Sequence, residues 1–437
     1  MISTASLCST RTRSTTGALP FVSVAPLADA ASTAALLSRH LSRRLSGLFA
    51  ACVAATLLAL AGCAEPPKAT VVANELPFEQ AVALATDGLA QQTRQGPAFL
   101  GKLSKKTFVL DPMLDASTGQ QTAATQLLQS RVSARLTGQA DLAIEILPFQ
   151  SANLAKAQYL LTGTMTVVLS DRPDPVRRIN LALTELKTGN VVAQATALSR
   201  TEGLDHTPLP YYRDSPVLVK DKVTEGYVRT SSTKPGTQAD KFYLEHVAVA
   251  TTINDATTLY NAERYQDALG QYRNAQSDPN GEQLRVLNGI YLSNVKLGRS
   301  AEAEEAFGKV VALGIAYNEL GVKFLFNPGT TTFWSDPKVS GAYPMWLRQI
   351  ARGANAAKAC MNIVGHTSRT GSEQTNEALS LQRANFIRQR LTAEAAVLGP
   401  RTQTSGMGFR QNIVGSSTDN VVDALDRRVE FKIVPCG

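Results

Sequence analysis

Three short motifs near the C-terminal end follow one another in an order that few folds accommodate. The first reads Cys360-Met361-Asn362-Ile363-Val364-Gly365-His366-Thr367-Ser368-Arg369-Thr370-Gly371. Its Met361–Val364 run is apolar and stopped by glycine, which predicts a short buried strand. The second runs from Asn376 to Ile387 and predicts a helix with Asn376 as its N-cap. Leu381, Ala384, Ile387 and Leu391 recur at spacings of three, three and four and form the expected core stripe. Asn376, Ser380 and Arg383 recur at four and three, so they share another face, which carries one guanidinium. In the third motif, Val429, Phe431 and Ile433 alternate with Glu430 and Lys432, the pattern of a half-buried strand.

This set resembles the OmpA-like peptidoglycan-binding domain, whose pattern runs GHTD-x-x-G, then N-x-x-LS-x-x-RA, then a terminal NRRVEF strand. The resemblance implies a β-α-β-α-β-β domain over residues 318–437. Gly321–Phe333 would form its first strand and turn, and Tyr343–Lys358 its first helix, with Trp346, Leu347 and Ile350 inward. Ser405–Phe409 matches the GxG-containing strand end. In such domains the helix arginine and the GHTD aspartate bind the diaminopimelate of the peptidoglycan stem peptide. Arg383 stands at the arginine position, and a guanidinium can grip a carboxylate through two parallel hydrogen bonds, which lysine cannot copy. The aspartate position holds Ser368. A serine accepts a hydrogen bond from an ammonium without neutralising it; bonds involving an ion are worth roughly 1.5–3 kcal/mol and neutral ones about 1. Weaker or differently shaped binding is therefore expected, with complete loss of the ligand as the competing outcome. Thr367, Asn376 and Asn327, the last in the loop with Thr330, complete the expected site.

The other end of the chain points to a membrane surface. Arg39, Arg43 and Arg44 precede an uncharged Ala- and Leu-rich stretch, Leu45 to Gly62, which ends Leu60-Ala61-Gly62-Cys63. That tetrapeptide resembles the bacterial lipobox, which implies lipidation of Cys63 and removal of residues 1–62. A plain transmembrane anchor is the alternative, although it needs about 20 apolar residues and has no use for Ala-Gly-Cys at its edge. Several acyl chains, at about 0.8 kcal/mol per buried CH₂, anchor stably. Ala64 after the cysteine suggests sorting to the outer membrane. Residues 1 to about 37 have no period, and no methionine occurs between Met1 and Met113, so the translation start is expected near Leu36.

The leader also explains the charge. The chain of 437 residues is formally +8, but residues 1–62 hold five arginines and one acid. The remainder, 39 basic against 35 acidic residues, has no block of one sign, so nucleic acid is not an expected partner. With Cys8 and Cys52 in the leader and Cys63 lipidated, Cys360 and Cys436 remain, one at each end of the motif set. An even pair in an exported protein suggests a disulfide, with two unpaired thiols as the alternative.

Between these ends, residues 63–76 read as a Pro-containing tether and 77–200 as an α/β sandwich-type domain. Helical periods at Phe78–Gln92 and Thr122–Leu136 alternate with strand-like runs at Thr107–Leu110, Leu142–Leu147, Tyr159–Val168, Ile179–Leu186 and Val191–Leu198. Lys187-Thr188-Gly189-Asn190 predicts a hairpin turn. Asp111-Pro112, Asp115, Thr118-Gly119-Gln120-Gln121-Thr122 and Leu161-Thr162-Gly163-Thr164 are similar to the α/β domain of periplasmic lipoproteins. Those include the curli secretion lipoprotein, the lipoprotein activators of penicillin-binding proteins and the amino-terminal domain of TolB. The Thr118–Thr122 stretch lacks the Gly-Lys-Ser/Thr ending of a phosphate loop and reads as a helix-entry turn, with Thr118 or Gln121 near the cap. Residues 201–245, rich in Pro, Thr and Ser, show no period and read as a linker or a loop packed on a neighbour.

Residues 246–317 predict helical hairpins. Ala256, Tyr265, Ala268, Tyr272 and Ala275, then Gly298, Ala303 and Phe307, resemble the tetratricopeptide pattern, with Ala268 and Ala303 35 residues apart. Such hairpins make either a protein-binding groove or a spacer, and two repeats need a neighbour to lean on.

The fold expected is thus multi-domain α/β. The function expected is an outer-membrane lipoprotein, on the periplasmic face, that tethers to peptidoglycan and scaffolds periplasmic or outer-membrane proteins. The alternative is an accessory factor of a secretion or wall-synthesis machine, working through residues 77–200 with the C-terminal domain as a clamp. His40, His206, His246 and His366 are few and far apart and no nucleophile–base motif occurs, so no metal, cofactor or catalytic site is expected.

Overall fold

The computed structural model describes residues 70–95, 105–139, 142–168, 176–327, 329–413 and 422–436. The leader, the expected lipidation site Cys63 and the first part of the tether lie outside the described residues. Among the described residues no helix is long and apolar enough to cross a membrane.

The N-terminal half is built on one mixed sheet. Its strands are β1 (Thr70–Leu76), β2 (Lys106–Leu110), β3 (Leu114–Asp115), β4 (Ile144–Leu147), β5 (Tyr159–Val168), β6 (Val176–Glu185) and β7 (Val191–Arg200). Their order is β1-β7-β6-β5-β2-β4, with β3 also pairing β5. β5, β6 and β7 are antiparallel, whereas β1, β2 and β4 run parallel to their neighbours. Successive residues of a strand face opposite sides. Phe108 and Leu161 pack with helices α1 (Phe78–Gln95) and α2 (Ala123–Thr137). Val109 and Leu160 pack with α3 (Lys222–Ser231) and α4 (Lys241–Asn261). Cover on both faces leaves β5 buried from Tyr159 to Met165.

Two local expectations are corrected. Residues 70–76, expected within the tether, form β1, with Thr70 opposite Ala195 and Leu76 opposite Ser199. The open edge of β7 supplies the backbone partners that a Pro-rich lead-in does not advertise. Helix α2 is capped by Thr122 rather than Thr118 or Gln121. Thr122 Oγ1 accepts from Thr125 N at 3.2 Å, and Thr125 Oγ1 accepts from Thr122 N at 2.8 Å.

Helices α4, α5 (Tyr265–Gln276), α6 (Leu284–Lys296) and α7 (Ser300–Tyr317) pack consecutively into an array. One turn closes it twice: Arg264 N donates to Leu259 O and, 35 residues on, Arg299 N donates to Asn294 O, both at 2.9 Å. Glu263 and Gly298 take left-handed backbone at the matching positions. Ala268 and Ala303 are buried, and Tyr272 and Phe307 fill the space between helices.

The C-terminal domain comprises β8 (Gly321–Val322), α8 (Tyr343–Ala356), β9 (Cys360–Gly365), α9 (Glu373–Glu394), β10 (Thr402–Gly406) and β11 (Val429–Val434), with sheet order β10-β9-β11-β8. Trp346, Leu347 and Ile350 of α8 are buried. This domain and the helical array share one hydrophobic core, which runs from Tyr211 through Phe307 to Phe431. At their contact Trp346 Nε1 donates to Tyr291 Oη at 2.9 Å, and the Trp346 ring stacks on Phe307 at 5.7 Å. Cys360 and Cys436 are disulfide-bonded, with their Cα atoms 5.2 Å apart.

Residues 201–245, expected as a linker or a loop packed on a neighbour, pack on all three parts. Pro208 bridges Thr122, and Leu209 N donates to Gln121 O on the α/β side. Tyr211 N donates to Asn261 Oδ1 at 2.9 Å, Tyr211 Oη to Arg285 O at 2.6 Å, and Asp214 pairs with Lys296 at 2.9 Å on the helical side. Leu218 N donates to Gly321 O and Lys323 N to Pro216 O on the C-terminal side. Further on, α3 covers the second face of the large sheet. The segment lacks a period because its side chains answer to three different neighbours.

Candidate functional site

The C-terminal motifs meet where α9 crosses the ends of β9 and β10. Gly365 and Gly406 lie against the backbone of Glu377–Leu381, so close that a Cβ at either position would collide with it. Only glycine permits that approach. It turns Asn376, Ser380 and Arg383 inward, together with Ala384, Ile387 and Leu391. Leu381, expected in the core stripe, is 39 % exposed. Ala384, Ile387 and Leu391 of the expected stripe are buried, but in place of Leu381 the strand ends of glycine backbone receive the small polar Ser380.

Asn376 is not the N-cap. Ser372 caps α9 by accepting from Thr375 N. Asn376 Nδ2 instead donates to Thr370 O at 2.8 Å and Ser372 O at 3.0 Å, closing the loop that carries Ser368. Ser380 Oγ accepts from Gly408 N at 2.9 Å, and Thr367 N donates to Gly408 O, which ties the first motif to the end of β10. Ser368 is buried beside it.

Arg383 is 3 % exposed. Its Nε donates to Thr330 O at 3.1 Å and its Nη2 approaches Asn327 O at 3.4 Å. Its guanidinium lies 4.9 Å from the centre of the Phe326 ring. Carbonyls and a ring face orient the guanidinium. Asn327 thus serves through its backbone. Its side chain closes its own loop, donating to Thr332 Oγ1 and Phe333 O and accepting from Ser335 N.

Under the same strand ends lies a charged group that the sequence did not single out. Arg428 and Glu430 point to one side of β11, where Arg428 Nε donates to Glu430 Oε1 at 2.8 Å. His366 Nε2 lies 3.6 Å from Glu430 Oε2, an ion-pair distance rather than a hydrogen bond. Burial pushes the His366 imidazole down, more than Glu430 raises it. Burial raises Glu430, but His366 and Arg428 together outweigh it and hold the carboxyl at about 2. The signal was present: positions 428 and 430 share a strand face, and 366 lies opposite 428.

No group of three or more His, Cys, Asp or Glu among the described residues could hold a metal ion. The arrangement is a buried guanidinium oriented by backbone carbonyls and a ring face, a group suited to an anionic ligand.

Residues 325–424 match the OmpA family model. No curated protein matches the chain. Among solved structures, the chain is similar to an outer membrane protein from Borrelia burgdorferi B31, with 24 % identity, 26 % of this chain and 88 % of that one covered, and a TM-score of 0.21. It is similar to the peptidoglycan-associated lipoprotein from Burkholderia pseudomallei, with 21 % identity, 26 % and 89 % covered, and a TM-score of 0.21. It is also similar to the periplasmic domain of Helicobacter pylori MotB, with 17 % identity, 27 % and 76 % covered, and a TM-score of 0.23.

Proposed function

We propose that the chain is a lipid-anchored protein of the outer membrane that grips the peptidoglycan stem peptide at the residues around Arg383. Lipid on Cys63 would hold one end and the wall the other. The α/β sheet and the tetratricopeptide-like array would form the body on which periplasmic partners dock. Its role is attachment rather than catalysis. The observation that carries this reading is Arg383, buried yet oriented by carbonyls and a ring within the residues that match the OmpA family. Its fork would take the ligand carboxylate. Ser368, Thr367 and Asn376 would line the side where the ligand's ammonium lies.

The test is co-sedimentation of the full chain with purified sacculi, since the C-terminal domain shares its core with the helices. Arg383→Ala is expected to cut retention at least tenfold, and Arg383→Lys to restore little of it because the fork is lost. Ser368→Asp is expected to raise retention by supplying the missing negative charge. No retention of the native chain, or full retention of a folded Arg383→Ala variant, would overturn the proposal.

A further inference from the structure

Where the large sheet meets the helical array, its ladder is interrupted. β2 pairs β5 as far as Leu110–Leu161, and β3 rejoins β5 at Leu114–Thr164. Gly163 falls in the gap. The Tyr227 hydroxyl of α3 fills it, accepting from Gly163 N and donating to Gly163 O, both at 2.9 Å. Beside it, at the end of β2, the Asp111 carboxyl is buried. Tyr243 of α4 donates to Asp111 Oδ2 at 2.6 Å.

Tyr212 and Arg285 line the same cavity, whose volume is about 20 Å³, room for about one water. Arg285, on α6, also faces Asp221 at 3.9 Å, and Arg285 Nε and Asp221 Oδ2 have no hydrogen-bond partner. Asp111 therefore shares the cavity with Tyr227, Tyr243, Tyr212 and Arg285, which come from α3, α4, the short helix Pro210–Asp214 and α6.

We propose that this pocket is a proton-controlled joint. With the proton on Asp111, α3 and α4 are clamped most tightly to the sheet; with the proton gone, the buried anion loosens the clamp.

Burial disfavours the anion, and the Tyr243 hydroxyl and Arg285 favour it. Burial prevails, and Asp111 is pushed up to about 6. A carboxyl raised on folding adds stability in full below its ordinary value near 4 and loses it as pH rises through the folded value. The joint is thus tighter at pH 5 than at pH 7.5. Glu319, facing Asp221, Lys222 and Glu225 near the start of α3, is also pushed up by burial, to about 7. Amides of α4 are therefore the cleaner probe.

The experiment is hydrogen exchange on the full chain at Lys241–Ala250, corrected for intrinsic rates, from pH 5 to 7.5. Protection in the native chain is expected to fall about tenfold over that window. Asp111→Asn keeps the shape without the proton and should give a flat profile. Tyr243→Phe removes a bond that lowers the Asp111 value and should move the transition to higher pH. A flat native profile, or a native-like profile in either folded variant, would overturn the proposal.

Discussion

The strand ends of the C-terminal domain and the junction around residues 205–222 both bury polar and aromatic groups, but their partners lie at different distances along the chain. At the strand ends, Asn376 bonds a carbonyl six residues away, Ser380 meets Gly408 28 residues away and Arg383 reaches Thr330 across 53. In the junction, Tyr211 reaches Arg285 74 residues on, and Lys323 returns to Tyr212 across 111. A site of short sequence span leaves a motif. A joint of long span leaves only a stretch without a period, although more of the molecule hangs on it.

The hardest blow to that contrast is Tyr211→Ala. The Tyr211 ring is fully buried against Tyr212, Tyr260 and Tyr272, at 4.9, 5.9 and 5.9 Å. Its removal leaves a ring-sized cavity and should cost about 4 kcal/mol. Because the same residue bonds the helical array through Arg285 O and Asn261, denaturant unfolding should also split from one transition into more than one. A single transition, shifted by less than about 1 kcal/mol, would make the segment the linker that its composition suggests.

The disulfide tests the other region. It closes a span of 76 residues around the strand-end site. Replacing both cysteines with serine should cost about 3 kcal/mol, mostly by freeing the unfolded chain. The register that sets Val434 opposite Cys360 should survive the loss. Retention on sacculi at low temperature is then expected to stay near native, with the denaturant midpoint lowered. Loss of retention without a stability change would place the disulfide in the ligand site.

What was legible follows from the same physics. The strand alternation of β11, the apolar run of β9 and the inward face of α8 are local patterns, and the residues read from them are buried except Ile433 and Asn362, which are half-buried. Leu381 was misread because its spacing fits a helix stripe, whereas the choice between neighbouring faces depended on glycines in two distant strands. Strand β1 and helix α3 were missed for a related reason. Each is held by a sheet whose strands lie far along the chain; α3 carries a helical stripe, Val223, Tyr227 and Thr230, but a short one in a Pro-, Thr- and Ser-rich stretch. Tyr211, Tyr212, Val217 and Val219 look like scattered hydrophobes until the array and the C-terminal domain close around them.

The gentlest probe asks whether charge helps to join the array to the C-terminal domain. Arg348 of α8 meets Glu304 of α7 through two hydrogen bonds, at 3.1 and 3.0 Å, and Gln349 adds a third at 2.6 Å. The geometry is bidentate, yet about a third of each charged side chain is open to water. Solvent there screens the attraction, and ordering two long side chains offsets part of it. A double-mutant cycle with Arg348→Ala and Glu304→Ala should give a coupling of about 0.5 kcal/mol that shrinks in high salt. A coupling above about 2 kcal/mol would mean that the array and the domain are held by a surface ion network. The core that runs from Tyr211 to Phe431 would then be the weaker half of their union.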